Sequence, residues 1–239
     1  MKAAWFGLTA TIASALCWPS AGLAQREIET GHLTSSAKPA DIQEQTDIHS
    51  SNMSAADRAR ATVIAYAQCL VERDRRNVER GVALFPGSTL EISALSKLAV
   101  DDCLRDGTLQ FTGPLLRGAL FIALYRRDYG RAVPELKPDP VDFTLGAPAI
   151  PERGSDQQIG LRTFADCVVR ADPVNARVVV IASVAGSRET QGYIALRPRF
   201  NACMPQGVSL TFSKSVLSGL IAEALYRQTA PVAAVTTRN

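Results

Sequence analysis

Apolar residues fall at helical spacing in two stretches of the chain, separated by polar or proline-rich sequence. Residues 25–53 are rich in Ser, Thr, Glu and Gln, lack apolar periodicity, and read as a flexible polar lead. The SAAD run at 54–57 then has the form of a capping box, and Val63, Ala67, Leu70 and Val71 follow on one helical face. A second helix is predicted over about residues 77–84, ended by Pro86 and Gly87. Ser88 and Glu91 bracket another cap, opening a helix that carries Leu95, Leu98 and Cys103 and breaks at Gly107. Residues 108–111 read as extended. Thr112 then caps a last helix with Pro114 in its first turn.

The second stretch runs from about residue 158 to 228. Asp172 and Pro173 restart a helix through residues 178–181, whose Val-Val-Val-Ile content alone would also suit a buried strand. Gly192, Pro198 and Pro205 predict an irregular third segment. Between the stretches, residues 129–156 hold Pro134, Pro138, Pro140, Pro148 and Pro151, a density that predicts a semi-rigid extended linker. The chain thus divides into a leader (1–24), the lead (25–53), a helical unit (54–130), a linker (131–156), a second helical unit (157–228) and a frayed tail (229–239).

The two units match each other. Residues 109–126 read LQFTGPLLRGALFIALYR and residues 210–227 read LTFSKSVLSGLIAEALYR, identical at eight of 18 positions. Residues 67–71 (AQCLV) match 165–169 (ADCVV), and Asp74 and Asn77 recur as Asp172 and Asn175. Two matched blocks in the same order indicate an internal duplication. Cys69 and Cys103 in the first unit answer Cys167 and Cys203 in the second. That favours one disulfide per unit over cross-unit pairing. The fold class expected is mainly α: two tandem disulfide-stapled helical repeats, forming two domains or one pseudo-symmetric domain.

The fifth cysteine, Cys17, belongs to a different kind of segment. Lys2 precedes an apolar run over residues 3–16, and small residues Gly22 and Ala24 stand at the third and first positions before a predicted cleavage after Ala24. Thr9, Thr11 and Ser14 interrupt the run, which is shorter than the roughly 20 residues needed to span a bilayer. Lipid attachment at Cys17 would want a small residue where Leu16 stands. A secretory leader is the expectation. Its removal leaves four cysteines, an even number suited to disulfides in an oxidising compartment.

Charge and histidine content narrow the chemistry. Without the leader, 25 basic residues face 23 acidic ones, a net of +2 with no basic stripe of the kind nucleic acid requires. The charged run at residues 72–80 mixes both signs and reads as a solvated helix face. The two histidines, His32 and His49, lie in the polar lead, which leaves the helical units without His-based catalysis or metal binding. Closely spaced Cys pairs for zinc are also missing. Asp101 and Asp102 are adjacent helix positions that point apart, and Ser35 with Lys38 sits in the lead as a chance Ser-x-x-Lys match. Tyr125-Arg126 and Tyr226-Arg227 read as structural, with each Arg complementing the helix dipole and each Tyr burying its ring. The last helices share an apolar stripe. Phe121 and Ile122, matched by Ala222 and Glu223, make the first of them apolar nearly all round. These two residues belong either to a core shared between the units or to a partner interface.

The paired cysteines, the CVVRADP run at 167–173 and the ALYR endings resemble a group of small exported proteins of sphingomonad-type alphaproteobacteria, over most of residues 60–228. The resemblance implies a periplasmic location and carries over no catalytic residue. The expectation is a periplasmic or secreted, non-catalytic binding or interaction module without cofactor. Its partner would be another periplasmic protein or a second copy of the chain. The alternatives are a carboxylate-dependent cell-envelope hydrolase, where Asp and Glu suffice without His, and an envelope structural protein.

Overall fold

A computed structural model describes residues 53–104, 111–131, 133–148, 154–208 and 210–229. The leader with Cys17, both histidines, Ser35 and Lys38, Gly107, the 108–110 segment and the tail past 229 lie outside the described residues. Among the described residues the architecture is helical, with one isolated β-bridge between Leu136 and Thr229. The helices are α1 (Ala55–Ala83), α2 (Thr89–Leu98), α3 (Gly113–Tyr129), α4 (Ser155–Ala171), α5 (Pro173–Ile181), α6 (Ser187–Cys203) and α7 (Lys214–Gln228). None of them is long and apolar enough to cross a membrane.

Local chemistry sets these boundaries. Ser54 Oγ accepts the Asp57 N–H at 3.1 Å and starts α1. The helix predicted from residue 77 is the second limb of α1, which kinks where Asp74 takes φ −147° and ψ 66°. Asp74 Oδ1 accepts the Asn77 N–H at 3.2 Å, capping the new limb. Asp172 repeats the device between α4 and α5, with φ −154°, ψ 76° and the Asn175 N–H on its Oδ1 at 3.0 Å. The helical reading of residues 178–181 therefore holds over the strand.

Three local expectations are corrected. Helix α2 stops at Leu98, and Cys103 sits in a separate 3-10 turn (Asp101–Cys103). The Val100 N–H goes to the Tyr66 hydroxyl at 3.2 Å, drawing the chain away from helical bonding. Helix α6 continues through Gly192 and Pro198 without interruption. Gly192 gives α5 room, since a Cβ there would lie 3.0 Å from Val179 Cγ2. Pro198 is exposed, as is Ile194, whose carbonyl loses its helical partner to the proline. Finally, residues 133–148, expected as an extended linker, hold no regular helix but lie packed against the helices. Lys137 N–H donates to Gln228 O at 2.7 Å, and Phe143 is buried.

The disulfides are Cys69–Cys103 and Cys167–Cys203. The first ties α1 to the 3-10 turn after α2, and the second ties α4 to the end of α6. The core is continuous across the halves because α3 packs on α1 and α7, while α7 packs on α4 and α5. Leu116, Leu120 and Leu124 of α3 join Leu217, Ile221 and Leu225 of α7 in that core.

Candidate binding cleft

The strap formed by residues 137–145 roofs a cleft of about 740 Å³. Its walls come from the end of α1, the Phe85–Pro86 turn, Phe121 of α3, Arg162 of α4, and Glu223, Tyr226 and Arg227 of α7. That volume lies in the range of small-molecule sites, roughly 300–1,000 Å³. Gln228 and Arg227 of α7 seat the strap. Besides the Lys137–Gln228 backbone bond, Gln228 Nε2 donates to Asp139 O at 3.1 Å and to Asp166 Oδ1 at 2.7 Å. The Phe143 ring covers the Arg227 guanidinium at 5.9 Å, and Phe121 meets the same guanidinium at 5.6 Å. Arg227 thus lies between a core ring and a strap ring.

Beneath the cleft is a buried ion cluster. Glu223 Oε1 accepts Arg117 Nη2 at 2.6 Å and Arg227 Nε at 3.0 Å, and its Oε2 accepts Arg162 Nε at 2.9 Å. Arg117 also binds Glu91 and donates to Val82 O at 2.9 Å. Glu91 in turn accepts the Gly87 N–H and completes the cap at the start of α2. Burial alone would raise the Glu223 pKa, but the three guanidiniums outweigh it and hold the carboxyl at about 2. Burial pushes Arg162 the other way, down to about 10, because the shared Glu223 only partly offsets its desolvation.

The second half builds its own version around Glu189. This residue accepts the Ala185 N–H at 2.9 Å, where Ala185 takes φ 60° as Gly87 takes φ 80°. Its arginine is Arg60 of α1, whose Nη2 lies 2.8 Å from Glu189 Oε2 and also 2.8 Å from Asp57 Oδ1. Arg126 of α3 donates to Val180 O at 2.7 Å and Ala182 O at 2.8 Å, at the end of α5. Each half therefore closes helix ends of the other.

Phe121 and Ile122 are both 2% exposed and lie inside the chain. Phe121 sits under Arg117 and Arg227, while Ile122 faces Val63 and Ile64 of α1. Both are buried within the folded chain, and Phe121 also lines the cleft. Arg126 complements α5 instead of its own helix end, and Tyr226 donates to Asp128 Oδ2 at 3.0 Å. Asp102 is exposed and pairs with Arg73. Of the run at 72–80, Arg75 pairs with Glu79 at 2.8 Å and with Asp128 at 2.9 Å, both partly exposed. Among the described residues no group of three or more His, Cys, Asp or Glu side chains gathers to hold a metal.

The sequence reading missed the cluster of Arg117, Arg162 and Glu223. The available signal was Glu223 itself, a carboxylate where the matched helix has Ile122 in an otherwise apolar stretch. The chain matches no family model, and no curated protein or solved structure is significantly similar to it.

Proposed function

We propose that this chain is an exported, non-catalytic binding module that holds a small ligand in the cleft beneath the strap. The cleft of about 740 Å³ carries the reading, since folding leaves it open between two well-packed halves. The leader, the four remaining cysteines and the resemblance to exported sphingomonad-type proteins support a periplasmic location. The matched sequence blocks support a duplicated origin for the two halves.

The floor carboxylate is unsuited to the acid role in hydrolysis. A general acid for glycan cleavage needs a carboxyl that keeps its proton near neutral pH. Glu223 is held the opposite way, and its oxygens are occupied by three arginines.

Native mass spectrometry of the mature chain, mixed with the small-molecule fraction of an envelope extract, tests this. One ligand per chain is expected. Ala83→Trp should remove it, because Ala83 is exposed on α1 and lines the cleft. An adduct that survives Ala83→Trp, or release of glycan fragments from added cell wall, would overturn the reading.

A further inference from the structure

Charge in the ion cluster beneath the cleft does not balance, and Arg162, Glu223 and Arg227 are its members that line the cleft. Three guanidiniums (Arg117, Arg162 and Arg227) share two carboxylates (Glu91 and Glu223), leaving one positive charge in excess. Arg162 is 4% exposed, and its bonds run from Nε to Glu223 and from Nη1 to Gln158. Arg227 uses Nε for Glu223 and Nη2 for Val82 O. Arg162 Nη2 and Arg227 Nη1 donate to no described group. Neither is a sealed atom, and the cleft is the space that both residues line.

Arg117 and Arg162 are buried while Arg227 is 31% exposed, so water reaches the excess charge only from the Arg227 side, and charge held away from water is costly unless something compensates it. The acidic residues at the mouth do so poorly. Glu79 is paired with Arg75, and Asp139 and Asp142 are exposed, where solvent screens them. Lys137, also at the mouth, adds another cation and donates to Arg227 O at 3.0 Å. Above the floor the walls turn apolar, through Phe85, Phe121, Phe143, Val141 and Leu145.

Resting on the cleft as the binding site, we propose that its ligand is an amphipathic organic acid. One carboxylate meets Arg162 and Arg227, and an apolar body lies against the phenylalanine rings. A single negative charge matches the single excess cation. A planar carboxylate also suits guanidinium donors better than a tetrahedral or neutral group does.

Calorimetric titration of the mature chain with 2-naphthoate and with neutral 2-naphthamide tests the proposal. Naphthoate should bind about tenfold more tightly or better, the range of one charge-assisted hydrogen bond. Arg162→Gln should erase that preference. Leu145→Glu, at an exposed cleft position 75% open to solvent, leaves the core untouched and should weaken naphthoate more than naphthamide. Equal affinity for the two probes overturns the organic-acid assignment and leaves the cleft as a binding site. Failure of both probes to bind overturns the assignment and counts against the cleft itself.

Discussion

Gly118 of α3 and Gly219 of α7 meet backbone to backbone, so that a Cβ on Gly118 would lie 2.8 Å from the Gly219 Cα. The reverse contact is tighter still, at 2.6 Å from a Gly219 Cβ to the Gly118 Cα. Because the obstructing atoms are main chain, neither helix can yield without moving as a body. Gly118→Ala should therefore destabilise by about 1–3 kcal/mol or more, despite the roughly 1 kcal/mol that alanine contributes in helix propensity. Gly160 in α4 is the contrast, with nothing within 4 Å of its added Cβ. Gly160→Ala should stabilise by up to about 1 kcal/mol. Urea unfolding of the two variants checks both signs.

Glu223→Gln would leave three arginines around a neutral amide. Breaking a buried pair in this way costs about 3–5 kcal/mol. The effect should depend on pH with a defined sign. The folded-state pKa of Glu223 is depressed from 4.5 to about 2, so its contribution is complete above 4.5 and is lost as pH falls from there toward about 2. The stability gap between wild type and Glu223→Gln should close over that acidic window. A gap that stays constant through it would show that the carboxylate charge is not what matters.

Much of the fold was legible because its determinants are local. Ser54, Ser88, Asp74 and Asp172 announce helix starts through side chains that bond their own backbone a few residues on. The disulfide pairing was legible from the matched spacing of the cysteines. The uninterrupted α6 was not, because the tolerance of Gly192 depends on Val179 from another helix. The cleft was hidden for the same reason. Arg117, Arg162 and Glu223 lie far apart in sequence, and only the α3–α7 crossing and the folded-back strap bring them under one roof.

The proposed export and the two bridges are checked together. Protein recovered from the periplasm should begin at Gln25, and non-reducing peptide mapping should join Cys69 to Cys103 and Cys167 to Cys203. Replacing both cysteines of either bridge should cost about 3–4 kcal/mol in the chain-entropy account for loops of this length. A peptide joining Cys69 to Cys167 would contradict the pairing.

Ile122 separates core from interface. At 2% exposure, Ile122→Asp places a charge among Val63, Ile64 and Ala119, where the nearest cation, Arg60, is already bound to Glu189 and Asp57. The expected result is loss of cooperative unfolding, followed by circular dichroism. A folded protein with an altered oligomeric state in sedimentation would point to a partner surface instead.

Ligand binding in the cleft beneath residues 137–145 is the proposed work of this protein. Hydrogen–deuterium exchange with and without the envelope small-molecule fraction tests it most directly. Added protection is expected at the strap and at residues 82–86 alone, and is expected to be absent in Ala83→Trp. Protection elsewhere on the chain with the strap unchanged would contradict it.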